Sequence, residues 1–254
     1  MNTNAVDLED KARLHPFLSV IIPSFNEEQR LPETLTRIAA FIEAQEYSIE
    51  LIVVDNASTD RTGKIIKDFS VRYRFIKYCY QATPGKGAAV KMGVLAGQGD
   101  YLLVCDADLS VPLEEIRNFL PPERDDFDVA IGSREMKGAR RLGEPFYRHL
   151  MGRVFNLLVQ VLIFPGINDT QCGFKCFRRA TARDLFMASK IHGWCFDVEI
   201  LYIARLKGAR IVEVPVTWYY GEKSKVNPVR DTVRMFKELL EIRKNINAGI
   251  YGRE

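Results

Sequence analysis

The chain has no apolar run of the ~18 residues that a membrane-spanning helix needs. Its longest candidate, FNLLVQVLIF (155–164), is broken by Gln160 and stopped by Pro165 and Gly166. The opening MNTNAVDLEDKARLHP has neither the basic start nor the apolar centre of a secretory signal. Histidine is scarce: His15, His149 and His192 lie too far apart in sequence to complete the roughly four ligands of a closed zinc site around Cys172 and Cys176. The five cysteines (Cys79, Cys105, Cys172, Cys176, Cys195) are odd in number and scattered. That pattern excludes a secreted disulfide framework and fits small buried thiols in a reducing, cytosolic setting. Neither sign of charge dominates, with 36 Lys plus Arg against 33 Asp plus Glu. No nucleic-acid recognition motif accompanies the net charge of +3. Internal repeats and low-complexity segments are absent as well.

What is present suits one large domain. The chain of 254 residues is 47% apolar, enough for a sizeable core. LSVIIP (18–23) and ELIVVD (50–55) read as buried strands, with a helix at 31–45 between them that carries Leu31, Leu35, Ile38 and Ile42 on one face. The pattern continues with a helix at 61–73, a strand at 75–80, a helix at 86–96 and a strand at 101–105. A short helix from Pro112 to Leu120 and a strand at 128–133 follow. Such alternation predicts a mostly parallel sheet covered on both faces, with ligands at the carboxyl ends of the strands. Beyond residue 134 the alternation lapses. The pattern there gives helices at 146–164, 197–207 and 228–247 and strands at 173–177 and 209–220, and six cations face two carboxylates between Arg134 and Arg153.

The stretch YLLVCDADLSVP (101–112) ends a buried strand in two carboxylates, Asp106 and Asp108, one residue apart. Carboxylates this close repel, and one takes up a proton unless a cation or hydrogen bonds compensate. A divalent metal is one compensation, and hard oxygen ligands suit Mg²⁺ or Mn²⁺ bound together with a diphosphate. In the alternative, Asp108 caps the next helix and Asp106 is a solvated strand end. A phosphohydrolase of the haloacid dehalogenase type also ends a strand in DxD, but on its first strand, whereas this motif follows the fourth.

Three other stretches leave successive strands or open a helix: PSFNEE (23–28), DNASTD (55–60) and PGKG (84–87). Together with DAD they resemble the nucleotide-sugar-binding half of family 2 glycosyltransferases of the GT-A fold. Phe25 and Asn56 depart from that pattern, standing where the family often has Tyr and a second Asp. GSREMKG (132–138), DTQCGFK (169–175), GWCFDVE (193–199) and VPVTW (214–218) narrow the resemblance to the polyprenyl-phosphate branch, above all the dolichyl-phosphate β-glucosyltransferases, with the mannosyltransferases next.

The resemblance implies an α/β GT-A (Rossmann-like) three-layer α/β/α domain over 18–247, with a mostly parallel central sheet and C-terminal amphipathic helices. A nucleotide-sugar half (18–133) and an acceptor half (134–247) would lie between an extension (1–17) and a tail (248–254). Some members carry membrane anchors, and none is visible here. The implied reaction is inverting transfer of a hexose, with UDP-glucose favoured as donor, onto a polyprenyl phosphate at the cytoplasmic face of a membrane. GDP-mannose transfer and a non-catalytic nucleotide or lipid-phosphate binding module are the alternatives. Pro23, Phe25, Glu27, Asp55, Lys86 and Gly87 would border the nucleotide, with Asp106 and Asp108 holding Mg²⁺ or Mn²⁺. Arg134, Arg148 and Lys137 would grip the lipid phosphate, and Asp169, Trp194, Asp197 and Glu199 would lie on the sugar or acceptor side. Asp55 could instead close a tight turn, Trp194 could be core, and the 155–164 helix could be packed core or a shelter for the first isoprenes.

Overall fold

Period-two burial builds the sheet. In β1 (Leu18–Ser24), Val20 and Ile22 face one core cluster while Ile21 faces the other. In β2 (Ile49–Asp55), Leu51 and Val53 oppose Ile52 and Val54 in the same way, as expected of strands covered on both faces. β1 pairs in parallel with β2 on one side and with β4 (Tyr101–Val104) on the other, and β3 (Ile76–Tyr80) adds in parallel beyond β2. The chain therefore runs from β1 outward through β2 to β3 and then crosses back past β1 to β4 on its other side. This is the switch point at which α/β sheets open a crevice beyond the carboxyl ends of their strands.

The computed structural model describes residues 15–221 and 228–252, and the side chains of the last helix from 232 onward. Residues 1–14 of the expected extension, 253–254 of the tail, and the side chains of Val229 and Arg230 lie outside the described residues. The main sheet has the order β3-β2-β1-β4-β7-β5-β8, in which β5 is Val129–Ser133, β7 Lys175–Arg178 and β8 Ile211–Pro215. β7 runs antiparallel to both of its neighbours, so the sheet is mostly but not wholly parallel. α1 (Leu31–Glu43), α2 (Thr62–Arg72) and a 3₁₀ helix at Leu113–Phe119 cover one face. α3 (Lys86–Ala96), α5 (Arg179–Ala188) and α6 (Phe196–Leu206) cover the other. α4 (Phe146–Leu162) and α7 (Pro228–Asn247) pack against each other beside this second layer.

Several elements differ from the pattern-based reading. The strand expected over 209–220 is two strands: β8 stays in the main sheet, and β9 (Thr217–Tyr219) turns out to pair with β6 (Arg140–Leu142) in a separate ribbon. α5 has no counterpart in the expected elements, because RATARDLFMA buries only Ala182, Leu185 and Phe186. Tyr251, in the expected tail, is buried, and its hydroxyl donates to Glu199 Oε1 at 2.6 Å.

All five cysteines are free thiols. Four are buried, and Cys79 is half-buried. Burial raises Cys172 to about 11 and pushes Cys105, Cys176 and Cys195 higher still. Since the thiolate is the reactive form, native alkylation with iodoacetamide should label Cys79 alone, with the remaining four reacting only after unfolding. Fast labelling of Cys172 in the native protein would contradict this placement.

Candidate active site

The loops that leave β1 and β2 brace each other. Asn26 N–H donates to Ser58 Oγ at 3.0 Å, Glu27 N–H to Thr62 Oγ1 at 2.7 Å, and Thr59 N–H to Asn26 Oδ1 at 2.8 Å. Asn26 (φ 52), Ala57 (φ 55) and Leu109 (φ 50) are the described non-glycine residues with left-handed backbone. All three follow strand ends at the crevice, where surrounding structure must hold an unfavourable conformation. Phe25, just after β1, is exposed, and Pro23, within it, is half-buried. Asp55 is buried and accepts Ser58 N–H at 3.0 Å, so its carboxylate closes the turn after β2. Asn56 ties that turn to the next loop: its amide donates to the Thr83 carbonyl at 2.7 Å, and its Oδ1 accepts Gly85 N–H at 2.8 Å.

At the end of β4 the two carboxylates are each met by a cation from a different element. Lys86, the first residue of α3, places Nζ 2.6 Å from Asp106 Oδ1, and Arg30, immediately before α1, lies 3.7 Å from Asp108 Oδ2. Burial works to lower the Lys86 ammonium, but Asp106, Asp197 and Asp108 outweigh it and hold its pKa above the ordinary lysine value. Asp108 Oδ1 also accepts Ser110 N–H at 3.0 Å. Asp106 leans on the α-carbon of Gly173, where any Cβ would lie 2.1 Å from its Oδ2. Both acids stay about one-third exposed, at 38% and 33%. Among the described residues no third carboxylate, imidazole or thiol joins them to form a metal cage.

Across the crevice lies a cavity of about 480 Å³ whose lining includes Arg134, Arg148, Asp169, Gln171, Trp218 and Met235. Arg134 grips Asp169 through two parallel bonds, at 2.7 and 2.9 Å, and adds its backbone N–H at 3.0 Å. Burial alone would raise Asp169, but the guanidinium beside it holds the carboxyl well below the usual carboxylate range. Arg134 also lies over the Trp218 ring, and Arg148 stacks over Tyr220 at 5.2 Å. Lys137 is exposed and outside the cavity lining.

The remaining expected residues divide. Trp194 is half-buried, with its ring 5.5 Å from Lys86 Nζ, so it lies beside the Lys86–Asp106 pair. Asp197 is buried and paired with Lys175 at 2.7 Å; burial raises its pKa despite Lys175 and Lys86. Glu199 is fully buried and turned from the crevice, accepting the N–H groups of Lys190 and Ile191 at 2.8 and 2.9 Å. Gly87 is buried, and its N–H donates to the Gly193 carbonyl at 3.1 Å. Two residues absent from the expected site, Arg30 and Asn56, contact it. Arg30 gave no signal beyond being a cation before a helix, and Asn56 registers in the sequence only as a departure from the family pattern.

Parallel strands opening at a switch point, an acidic pair on the central loop and a basic cavity beside it define a glycosyltransferase of the GT-A fold. More particularly, the chain belongs to glycosyl transferase family 2, whose family model matches residues 19–186. It is 36% identical over 253 residues to the dolichyl-phosphate β-glucosyltransferase of Dictyostelium discoideum, covering 92% of this chain and 76% of that protein. The enzyme of the same name from Homo sapiens is 34% identical over 252 residues, covering 93% and 78%. In fold the chain is similar to glucosyl-3-phosphoglycerate synthase from Mycobacterium tuberculosis, solved in complex with Mn²⁺ and UDP-glucose. The TM-score is 0.63 at 17% identity, covering 95% of this chain and 84% of that one.

The Arg134–Asp169 pair gives a test of the cavity wall. Asp169 is held below its unfolded value of about 3.9, so its stabilisation is complete above that pH and fades as pH falls further. Asp169→Asn should cost ~3–5 kcal/mol at neutral pH by leaving a buried guanidinium without its counter-charge. Thermal unfolding measured from pH 7 down to 3 should show an acid-side loss in the native chain that is shallower in the variant. Parallel profiles would mean that the pair contributes nothing.

Proposed function

We propose that the protein transfers glucose from UDP-glucose to a dolichyl-type polyprenyl phosphate, inverting the anomeric carbon. The observation that carries this reading is the juxtaposition of an acidic, lysine-flanked crevice with a basic cavity that opens onto exposed apolar helix. Curated relatives bearing the name dolichyl-phosphate β-glucosyltransferase match the chain over nine-tenths of its length.

The acceptor needs no base. A phosphate monoester has its second pKa near ~6, so its oxygen is already a nucleophile at neutral pH. That oxygen bonds to C1 of the sugar while the C1–oxygen bond to the nucleotide breaks, and the nucleoside diphosphate departs with the electron pair. The part of the chain is to orient the two phosphates and to meet the charge that develops between them. Arg148 lies where it can donate paired hydrogen bonds to the acceptor phosphate, as an arginine fork does best. Arg134 is held against Asp169, so it presents a fixed cationic edge to the cavity. Lys86 sits beside the leaving group, with Trp194 over it.

The donor set fits Mg²⁺ or Mn²⁺. Two partly exposed carboxylates offer hard oxygens, and a cation that shares its shell with a diphosphate needs only one or two protein ligands. Asp106 and Asp108 would hold it, and it would supply further neutralisation of the departing diphosphate.

The lipid side is set by α4 and α7. α4 buries Asn156 and Val159 and packs Phe155, Leu158 and Leu162 partly against the core, so one face of the 155–164 segment is core and another is not. Phe146, Leu150, Val154, Leu157 and Val161 form one exposed stripe along it. On α7, Val233, Phe236 and Leu240 are exposed on a common face, while Leu239 and Ile242 are buried on the opposite one. Exposed apolar faces of this extent mark interaction surfaces, and flanking Arg and Lys suit an anionic headgroup layer. No helix among the described residues is long and apolar enough to cross a membrane. Contact at a membrane surface therefore belongs to this reading, and five free thiols fit the cytoplasmic side.

Labelled sugar should pass from UDP-glucose, and not from GDP-mannose, into organic-extractable polyprenyl phosphate, and chelation should stop the transfer. Label from GDP-mannose alone would overturn the donor assignment. Asp108→Ala should lower kcat ~100-fold or more with an unchanged melting temperature, in line with loss of transition-state charge stabilisation. Near-normal turnover of the folded variant would remove Asp108 from the site. Arg148→Ala should raise the acceptor KM ~10-fold with the donor KM unchanged, since a lost charged hydrogen bond is worth ~1.5–3 kcal/mol.

A further inference from the structure

The loop at 190–195 joins α5 to α6 and is held from three directions. On the α3 side, Gly87 N–H donates to the Gly193 carbonyl and Ala88 N–H to the His192 carbonyl, both at 3.1 Å. On the α6 side, Glu199 accepts the N–H groups of Lys190 and Ile191. The third hold comes from α7, 40 and 43 residues further along the chain from Cys195. Glu238 Oε2 accepts Cys195 N–H at 2.8 Å, and the Cys195 thiol donates to the Met235 carbonyl at 3.2 Å. The Glu238 carboxylate also lies against the α-carbon of Gly193, where a Cβ would fall 1.8 Å from Oε1. Arg234, one turn earlier on α7, keeps Nε 3.2 Å from that same oxygen.

These contacts form one mechanical series. Glu238 fixes residues 193–195, and the Gly193 and His192 carbonyls fix the first turn of α3. That turn begins with Lys86, whose ammonium lies 2.6 Å from Asp106. Trp194, between the two attachment points, lies over Lys86. Glu238 is itself buried, on the face of α7 opposite the exposed Val233, Phe236 and Leu240. A carboxylate on the inner face of an amphipathic helix is an expensive choice unless its bonds are used, and here both oxygens are engaged on the crevice loop or its flank.

We propose that Glu238 is a positioning residue for the donor site: from α7 it sets the 193–195 loop and, through it, the placement of Lys86 and Trp194 beside Asp106. The proposal rests on the reading that this crevice takes the nucleotide diphosphate, and it assigns to the C-terminal helix a part in donor binding that is separate from any lipid contact.

The test compares the full chain with Glu238→Ala, Glu238→Gln and Gly193→Ala, by hydrogen exchange and by calorimetric titration with UDP in the presence of Mn²⁺. Glu238→Ala should speed exchange at Gly87 and Ala88 ~10-fold or more, as local opening without global unfolding predicts, while the β1 and β2 amides keep their protection. UDP affinity should fall ~10-fold, the scale of one lost charge-assisted hydrogen bond. Glu238→Gln keeps an accepting oxygen for Cys195 N–H and should stay within ~3-fold of the native chain on both readouts. Gly193→Ala displaces the same carboxylate from the other side and should reproduce Glu238→Ala, which keeps the test open where that variant does not fold. Faster exchange at Cys195 with Gly87 and Ala88 unchanged would overturn the proposal. So would a Gln variant as impaired as the Ala variant. A native chain that binds no UDP would sink the donor reading, and the exchange comparison would still decide the role of Glu238.

Discussion

Two carboxylates one residue apart at the end of a buried strand cannot both stay charged without help, and much of the molecule is arranged around supplying it. The help comes from two elements that flank the crevice: Lys86 at the start of α3 meets Asp106, and Arg30 ahead of α1 meets Asp108. Each cation must then be held by its own helix. α3 is held through the Asn56 bonds to the loop before it and through the 192–193 carbonyls, and α1 through the cross-braced loops after β1 and β2. Even Gly173, just ahead of the strand that joins the two halves of the sheet, leaves room where a Cβ would meet Asp106. The acids are compensated without being sealed, which leaves oxygen lone pairs open on the crevice side.

The arginine-lined cavity is arranged differently. Its four arginines share the lining with Glu135, Glu144 and Asp169, one arginine being locked to the buried aspartate and another laid over an aromatic ring. The Arg134–Asp169 fork uses the aspartate as a strut, so the guanidinium keeps a fixed orientation whether or not an anion is near. The helix beside it is divided: Asn156 and Val159 are buried and Phe155, Leu158 and Leu162 pack against the core, while the stripe from Phe146 to Val161 stays exposed among the described residues.

Much of the N-terminal half, 18–133, could be read in the sequence, because long apolar strands alternating with amphipathic helices carry their own period. The helix at Lys86–Ala96 and the strand ending at Asp55 follow directly from such patterns. Strand direction could not be read, since period-two burial is the same in both senses, and the antiparallel β7 is the result. The β6–β9 ribbon is three residues a side and has no pattern of its own. α5 hides its three core residues in a polar segment. In the site, an aspartate after a strand announces itself, whereas Arg30, Asn56 and Glu238 act through partners at least 25 residues away, and nothing beside them in the sequence points to those partners. Asp169 and Glu199 could be marked as residues of interest but not separated. Only burial and partners distinguish an acid that braces a cationic cavity from one that holds a backbone loop.

The antiparallel strand has a bearing on how the chain comes to be folded. β4 and β5 never pair with each other; β7 lies between them, and its residues 175–178 are made more than forty positions after β5. A nascent chain that has emerged only through β5 thus holds two apolar strands with unmatched edges facing an empty slot. Such edges pair readily with foreign strands, and domains of this size expose them for as long as the ribosome takes to add the missing residues. The exposed interval ends when Lys175–Arg178 inserts. That insertion joins the two half-sheets and, through Gly173 just before it, brings the floor of the crevice under Asp106 in the same event.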